Sequence, residues 1–297
     1  MEKIEAKKII SSYRENDLWF DANYGMNIYK GCSHGCIYCD SRSSCYNIID
    51  FDKVRAKENV LEILERDLKS KRKKGVIGTG AMSDPYNPLE RSYEYTRKAL
   101  KLINKYGFGV AIDTKSSLIT RDIDILKKIQ EHSPVIVKIT ITTFDDKLGK
   151  LIEPNVSTSS ERFEAIKKLR DNGIYAGILM MPILPFINDT EENIRNLIKE
   201  GAKADAKFIF SFGIGVTLRG NQREYFFNKL KKLFPKNDLV HKYINTYGER
   251  YECPSLNWES LWSVFTEECE KNNILYKMED IIRDYRKNYT EEQLSLF

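Results

Sequence analysis

Three of the six cysteines in this sequence lie in one short stretch, YKGCSHGCIYCD at positions 29–40. The spacing Cys32-x3-Cys36-x2-Cys39 brings three thiols into a tight loop, and thiolates are ligands of soft metal centres. Structural zinc and ferredoxin-type clusters take four ligands, yet no fourth cysteine or histidine occupies an obvious partner position, and His34 is too close in the loop to join the same metal. Three ligands with one open position favour a [4Fe–4S] cluster whose fourth iron binds another molecule. The simpler alternative is three buried, apolar cysteines.

The composition of the chain is that of a folded protein whose mild positive charge permits an anionic partner but does not require one. Its 297 residues are 41% hydrophobic and 31% charged, with 48 basic and 43 acidic side chains and a net charge of +5. No run of about 18 apolar residues could cross a membrane, and residues 1–10 lack the apolar core of a signal peptide. We therefore expect a cytoplasmic protein, which we take to be a monomer. Thiols stay reduced in that compartment, so a cysteine cluster indicates metal binding or catalysis.

Apolar runs typical of buried strands alternate with amphipathic helical stretches along the first 215 residues. These β-then-α units predict a parallel sheet with right-handed crossovers. The runs span residues 25–31, 75–82, 109–115, 134–143, 174–184 and 206–214. We predict an α/β fold, a partial (β/α)6 TIM-type barrel, although periodicity alone does not separate it from an open doubly wound sheet. Asp189 with Glu192 resembles a capping box and predicts the start of the helix before the last strand.

The remaining residues have a helical pattern. Periodicity predicts helices over residues 221–234, 238–247, 258–271 and 276–289. We therefore divide the chain into a barrel with the cysteine loop, residues 1–215, and a helical C-terminal extension, residues 216–297. The extension is rich in aromatic residues, which we interpret as helix-packing core rather than a base-stacking surface. These residues are Phe226, Phe227, Tyr243, Tyr247, Tyr251, Trp258 and Trp262.

Polar residues lie at the ends of several predicted strands, where barrel enzymes carry their chemistry. Ser83 and Asp84 follow the second strand, Lys115 ends the third, and Thr140 lies in the fourth. Because parallel strands end on one face of a barrel, we expect these side chains beside the cysteine loop. The ordinary alternatives are a turn at the Asp-Pro pair, a solvated strand end at the lysine, and a strand threonine.

Five stretches of the sequence resemble the radical S-adenosylmethionine (radical SAM) enzymes, and more narrowly the spore photoproduct lyase-related group, often labelled DNA repair photolyases. They are MNIYKGCSHGCIYC, GTGAMSDPYNPLE, DTKSSLITRDIDIL, ITITTFDDKLGKLIEPN and GILMMPILPFIND, in that order. The resemblance implies a [4Fe–4S] cluster on Cys32, Cys36 and Cys39 whose open iron binds the amino and carboxylate groups of S-adenosylmethionine. An electron from a donor such as flavodoxin or ferredoxin would then break a carbon–sulfur bond and yield a 5′-deoxyadenosyl radical.

The resemblance also indicates which residues would hold S-adenosylmethionine. They are Tyr38, Ser83, Asp84, Lys115, Thr140 and Met181. The tyrosine ring would lie against the adenine, and the backbone near the methionine would approach the methionine part of the cofactor. The serine and aspartate are suited to accept hydrogen bonds from its ammonium group, and the lysine is suited to face its carboxylate.

Two positions differ from spore photoproduct lyases proper. The hydrogen-donating cysteine of those enzymes lies two residues before the Ser-Asp pair, where this chain has Ala81. The residue after the third cluster cysteine, a tyrosine in those lyases, is Asp40. We therefore expect reversal of thymine dimers to be absent or poor. Cys45 is close enough to the loop to serve as a substitute donor, although a free loop cysteine is the simpler interpretation.

The last residues, EEQLSLF at 291–297, place large apolar side chains on a polar tail. QLSLF resembles the short motif by which bacterial DNA-metabolism proteins bind the replication sliding clamp, and its contacts would be Gln293, Leu294, Leu296 and Phe297. A tail docked on its own domain is the alternative. Clamp binding would favour a DNA substrate. An enzyme acting on a peptide or small metabolite, or a non-enzymatic metal-binding module, would explain the remaining features without it.

Overall fold

Six parallel strands, in chain order, form most of the central sheet of the computed structural model, which describes residues 2–13 and 19–289. The strands are β1 (Lys3–Ile4), β2 (Ile10–Ser12), β3 (Tyr24–Met26), β4 (Tyr29–Lys30), β5 (Arg55–Lys57), β6 (Val76–Thr79), β7 (Gly109–Thr114), β8 (Val135–Thr140), β9 (Ala176–Leu179), β10 (Ile209–Phe210), β11 (Gly215–Thr217) and β12 (Glu252–Pro254). The parallel strands are β3 and β6 to β10, and β2 pairs antiparallel with β3 at one edge.

The helices follow the strands and then form the C-terminal extension. They are α1 (Val60–Ser70), α2 (Glu90–Tyr93), α3 (Tyr95–Lys105), α4 (Ile123–Gln130), α5 (Asp146–Ile152), α6 (Ser159–Asp171), α7 (Glu191–Lys203), α8 (Gly220–Leu233), α9 (Leu239–Tyr247), α10 (Trp258–Lys271) and α11 (Met278–Arg286). Short 3₁₀ helices span Trp19–Asp21, Asp40–Arg42, Ser44–Tyr46 and Ser117–Asp122. This order confirms the predicted partial barrel with a helical extension. Among the described residues, no helix is long and apolar enough to cross a membrane.

Three features of the fold differ from the sequence prediction. The predicted first strand, residues 25–31, is split: β3 joins the central sheet, and β4 pairs with β5 in a small separate sheet. An antiparallel pair, β11 and β12, was not predicted and opens the extension. Helix α7 is capped by Thr190, whose hydroxyl accepts a hydrogen bond from the Asn193 N–H. Asp189 instead accepts a hydrogen bond from the Ser255 hydroxyl at 2.6 Å, so the prediction that Asp189 caps this helix is wrong.

The register of the strands brings their carboxyl ends to one level. Thr79 lies beside Ile112, Thr114 beside Ile139, and Thr140 beside Leu179. The strands β6, β8 and β9 are buried along their whole length, as apolar runs in a parallel sheet predict. The residues that follow β6 and β7 therefore emerge side by side at one end of the barrel.

The inner face of the barrel is filled by segments from both ends of the chain. Phe20, from the first 3₁₀ helix, and Ile281 and Tyr285, from α11, pack in one cluster with inward-facing strand residues such as Ala111 and Ile136. The Tyr285 hydroxyl donates to the carbonyl oxygen of Phe20 at 2.7 Å. The C-terminal extension is thus part of the barrel core. The division at residue 215 stays a prediction.

The extension also holds the cysteine loop. Arg219, just before α8, forms two hydrogen bonds with the Asp40 carboxylate, at 2.8 and 2.7 Å. The Gln222 amide donates to the carbonyl oxygen of Tyr38 at 3.0 Å, and the Asn221 amide oxygen accepts from the Ser44 N–H at 2.7 Å. Asp40 therefore serves as an anchor between the cysteine loop and the extension.

A buried ion pair fastens α6 to the end of β8. The Arg162 guanidinium lies 2.5 Å from the Glu153 carboxylate and donates to the carbonyl oxygen of Thr140 at 2.7 Å. Both charged side chains are almost completely excluded from solvent, at 1% and 0% exposure. Burial would raise the pKa of Glu153, but the charges of Arg162 and Lys115 lower it, so the carboxylate is ionised.

We expect Arg162→Met to lower the free energy of unfolding by about 3–5 kcal/mol, because removal of one partner leaves a buried carboxylate uncompensated. The measurement is urea denaturation under anaerobic conditions. Arg283→Met is the matched control: Arg283 is 78% exposed and pairs with Asp280 on α11, so its loss should cost less than about 1 kcal/mol. Equal effects of the two substitutions would show that the buried pair does not stabilise the fold as described.

Candidate functional site

The cysteine loop leaves β4 through a glycine that no other residue could replace without strain. Gly31 has a φ of +81°, and a Cβ built on it would lie 2.7 Å from the carbonyl oxygens of Phe51 and Lys53. The next residue, Cys32, donates its N–H to the Phe51 carbonyl oxygen at 2.8 Å. These contacts fix the direction in which the loop enters the carboxyl end of the barrel.

All three cysteines of the loop line one cavity of ≈ 90 Å³ at the carboxyl ends of β6, β7 and β8. Most of the residues predicted to hold S-adenosylmethionine line it too: Tyr38, Ser83, Asp84, Lys115 and Thr140. Met181 does not line this cavity. It packs against the group of apolar side chains inside the barrel that contains Phe20. Cys45 is exposed on the 3₁₀ helix Ser44–Tyr46 and is also absent from the cavity wall. The structure thus brings together residues from four separate stretches of sequence.

Positive charges beside the three thiols favour their thiolate forms, and burial opposes this effect. Burial raises the pKa of Cys36 and Cys39, and the charge of Lys115 opposes that rise. Burial also acts on Cys32, but a hydrogen bond and the charge of His34 outweigh it, and the Cys32 pKa is lowered. Within residues 2–13 and 19–289, no group of three or more His, Cys, Asp and Glu side chains is placed to hold a single metal ion. Thiolates on a cluster bind separate irons, so this donor set fits a [4Fe–4S] cluster.

Asp84 connects the cysteine loop to the ends of two strands. Its carboxylate accepts hydrogen bonds from the Thr114 hydroxyl at 2.7 Å and from the N–H groups of Lys115 and Tyr86 at 2.7 and 2.8 Å. His34 Nδ1 lies 3.4 Å from the same carboxylate. Burial would raise the pKa of Asp84, but the His34 charge and these hydrogen bonds lower it to about 2. The carboxylate therefore remains charged within the wall of the cavity.

The neighbouring side chains present both a cation and hydroxyls to the cavity. The Ser83 hydroxyl donates to the carbonyl oxygen of Gly31, which ties the end of β6 to the start of the loop. The Lys115 ammonium lies 5.9 Å from the centre of the Tyr38 ring. Burial would lower the Lys115 pKa, but the negative charges of Cys36 and Glu153 raise it. The cavity wall therefore carries the Lys115 ammonium group and the carboxylates of Asp84 and Asp113. An ammonium group and a carboxylate complement the two ends of an amino acid.

Tyr38 is held by an interaction that sequence reasoning missed. Its hydroxyl donates to Glu153, the carboxylate of the buried pair with Arg162. Glu153 lies within a stretch that carries the family resemblance, ITITTFDDKLGKLIEPN, so a signal for it was present. No local pattern identified Arg162 or Arg219. The hydrogen bond to Glu153 thus holds the Tyr38 ring in one orientation within the cysteine loop.

A second and much larger cavity, of ≈ 1020 Å³, adjoins the first. Ala81, directly after Gly80 at the end of the β6 segment, lines both cavities. The larger cavity is mainly aromatic and opens to solvent. A molecule in it would lie beside a molecule in the smaller cavity.

Comparison with known proteins identifies the part of the chain that builds the smaller cavity. The model of the radical SAM superfamily matches residues 26–198. An uncharacterized protein of Methanocaldococcus jannaschii is 37% identical over 192 residues, which cover 64% of this chain and 70% of the relative. A protein of Pseudomonas phage M6, named radical SAM Nalpha-GlyT isomerase, is 23% identical over 168 residues, which cover 57% of this chain and 34% of the relative.

Solved structures of spore photoproduct lyase have the same fold. One variant of that enzyme has a TM-score of 0.60 and 15% identity, with 97% of this chain and 79% of that chain covered. Another structure, complexed with dinucleoside spore photoproduct, has a TM-score of 0.57 and 16% identity, with 93% and 78% covered. At these identities the similarity establishes the architecture alone.

We expect Cys36→Ala to abolish assembly of the cluster, because two thiolates cannot hold three irons of the cluster in place. Iron and sulfide are measured after anaerobic reconstitution, and the unaltered chain should contain about four irons. Cys45→Ala is the control and should retain the full iron content, since Cys45 is exposed and outside the cavity wall. A Cys36→Ala protein with unchanged iron would contradict the assignment.

We expect Lys115→Ala to weaken binding of S-adenosylmethionine tenfold to a hundredfold, since one charge-assisted contact contributes roughly 2–3 kcal/mol. Lys115 is preferred to Asp84 for this test because the Asp84 carboxylate also holds the backbone together. Equilibrium dialysis of the cluster-containing protein gives the affinity. Lys203→Ala, at a lysine that is 60% exposed on α7, should leave it unchanged. Equal affinity in all three proteins would remove Lys115 from the site.

Proposed function

The chain belongs to the radical SAM superfamily, and on this basis we propose that it reductively cleaves S-adenosylmethionine at a [4Fe–4S] cluster and acts on DNA or on a nucleic-acid base. The observation that carries the proposal is the common cavity at the barrel end. Cys32, Cys36 and Cys39 line it together with Asp84 and Lys115. The three thiols, the Asp84 carboxylate and the Lys115 ammonium group match the ligands that a cluster and an amino-acid cofactor require.

The residues of this chain would position the cofactor and exclude water. When bound, the cluster supplies an electron that breaks a carbon–sulfur bond of S-adenosylmethionine and gives a 5′-deoxyadenosyl radical. Lys115 would face the cofactor carboxylate, and Ser83 with Asp84 would accept from its ammonium group. Tyr38, fixed by Glu153, would pack against the adenine. A small donor protein such as flavodoxin or ferredoxin would deliver the electron.

Several observations favour a nucleic-acid substrate. One of the spore photoproduct lyase structures is complexed with dinucleoside spore photoproduct. The phage relative is named radical SAM Nalpha-GlyT isomerase. The larger cavity lies beside the smaller one, which we name the cofactor cavity, and its aromatic lining suits flat rings. Ala81 replaces the hydrogen-donating cysteine of the lyases, so we propose a modification or rearrangement other than spore photoproduct reversal. The reaction would then need no thiol at this position.

The direct test is anaerobic turnover of the reconstituted protein with S-adenosylmethionine and a panel of nucleic acids. The panel contains intact DNA, damaged DNA that includes spore photoproduct, RNA and a mixed peptide library, each deuterated. We expect deuterium in 5′-deoxyadenosine with one nucleic acid, and little or no repair of spore photoproduct. Label transfer from the peptide library alone would support the alternative, an enzyme of peptides or small metabolites. Efficient repair of spore photoproduct would contradict the role given to Ala81.

We also propose that the C-terminal tail binds the bacterial sliding clamp and so recruits the enzyme to DNA. The tail, residues 293–297, lies outside the described residues. Leu294, Leu296 and Phe297 would fill apolar pockets, with Gln293 at the rim. Each buried side chain contributes about 1.5–3 kcal/mol, and the entropy cost of fixing a short segment in a complex offsets much of this, so we expect an affinity on the order of micromolar.

The clamp proposal is tested by titration of purified clamp against the full chain and against a chain that ends at Thr290. We expect binding by the full chain and a loss of at least about tenfold on truncation, since the large apolar side chains are removed. Leu294→Ala with Phe297→Ala in the full chain should reproduce the loss. Equal binding by the full and shortened chains, or binding by neither, would remove the clamp from the account.

A further inference from the structure

The larger cavity is built mainly by segments outside the superfamily match. Its aromatic lining residues are Tyr13, Trp19, Phe210, Phe212, Trp262 and Tyr276. All of them lie outside residues 26–198, the range matched by the superfamily model. Ala81 lies inside that range and marks the junction with the cofactor cavity. The part of the chain common to the superfamily therefore forms the cofactor cavity, whereas this chain's own N- and C-terminal segments form the larger one.

One wall of the larger cavity is a fixed aromatic platform. The rings of Trp19 and Phe212 are stacked, with centroids 5.2 Å apart and an angle of 29° between them, and Phe210 packs edge-on against both. Phe212 is 71% exposed, which is unusual for a ring held in such a cluster. Trp262 on α10 lines the same cavity. An exposed flat surface beside a second aromatic ring is suited to receive another flat ring.

A buried polar chain fixes the orientation of the platform. The Trp19 indole N–H donates to Asp113 at 3.2 Å, and the other oxygen of Asp113 lies 2.7 Å from the Lys138 ammonium. Lys138 is fully buried and also lies 4.4 Å from the centre of the Phe20 ring. Asp113 lines the cofactor cavity, whereas Trp19 lines the larger one. The hydrogen bond between Trp19 and Asp113 therefore joins the walls of the two cavities.

The hydroxyl groups of Ser211 and Thr266 in the larger cavity already have hydrogen-bond partners, so they offer little to the edge of a base. The Ser211 hydroxyl already contacts the carbonyl oxygens of Met180 and Gly213, and the Thr266 hydroxyl donates to the Ser263 carbonyl oxygen. Lys277 is exposed at the edge of the cavity and supplies a positive charge. The faces of the aromatic rings are thus available for stacking. The Lys277 ammonium group at the rim is suited to an anion such as a phosphate.

We propose that this cavity binds one unpaired nucleobase of a single strand, stacked on Phe212 and Trp262, with an adjacent phosphate near Lys277. The proposal rests on the proposed function and adds the place and mode of substrate binding. Stacking would hold the base beside Ala81, next to the cofactor cavity. Because recognition is through ring faces, the site should tolerate all bases and should discriminate weakly between DNA and RNA.

The experiment measures fluorescence anisotropy of a fluorescein-labelled trinucleotide with the anaerobic, cluster-containing protein and S-adenosylmethionine. A second trinucleotide has an abasic residue at the centre and the same phosphates. We expect the abasic strand to bind roughly fivefold to a hundredfold more weakly, since stacking of one base is lost. The deoxy and ribo forms of the intact strand should bind within a few-fold of each other.

Two aromatic residues on one helix give a matched pair of variants. Trp262→Ala should weaken the intact trinucleotide at least fivefold, whereas Trp258→Ala, one turn earlier on α10 and outside the cavity wall, should not. Phe212→Ala should weaken it similarly, and its exposure makes misfolding a poor explanation of the loss. Lys277→Gln should reduce the dependence of binding on salt by about one ion.

The outcomes separate this proposal from the proposed function. Reductive cleavage of S-adenosylmethionine without substrate is measured in the same preparation. If cleavage occurs but intact and abasic strands bind equally, the base site is overturned while the enzyme class stands. If Trp258→Ala and Trp262→Ala weaken binding equally, the cavity is also overturned as the binding place. Loss of cleavage with selective binding of the intact strand would support the cavity and contradict the proposed chemistry.

Discussion

The carboxylate of Asp84 is the contact on which the arrangement of the cofactor cavity depends. It is buried, yet it stays charged because Thr114, Lys115 and Tyr86 donate hydrogen bonds to it and His34 lies beside it. Through these bonds the ends of β6 and β7 and the cysteine loop become one unit. An unpaired carboxylate at this depth would be costly, so the three segments favour the arrangement in which all donors converge.

The same end of the barrel carries two adjacent cavities of different character. The ends of the central strands and the cysteine loop build a small polar cavity, within the range matched by the superfamily. The first 3₁₀ helix, the end of β10 and the C-terminal helices build a large aromatic cavity beside it. Asp113 connects them through the Trp19 indole, and Ala81 lies between them.

The sequence was sufficient for features that depend on local pattern. Buried strands form continuous apolar runs, and three closely spaced cysteines must share a loop, so the barrel and the cysteine loop were predictable. The capping residue was misjudged because Asp189 and Thr190 are both competent caps and only geometry shows which accepts the bond. Contacts such as Arg219 with Asp40 and Glu153 with Tyr38 join residues far apart in the chain, and no local pattern predicts which residues pair. Of the aromatic residues interpreted as core, Phe226 and Tyr243 are buried, whereas Trp262 lines the large cavity.

The most direct test of the account is the electron paramagnetic resonance spectrum of the reduced, reconstituted protein before and after addition of S-adenosylmethionine. Three cysteine ligands leave one iron open to the cofactor, so the account predicts a reduced [4Fe–4S] signal whose shape changes on addition of S-adenosylmethionine. S-adenosylhomocysteine, which lacks the sulfonium charge but keeps the amino and carboxylate groups, tests whether those groups are enough for the change. A cluster signal that S-adenosylmethionine leaves unchanged would show that no iron is open to it, and would contradict the central claim.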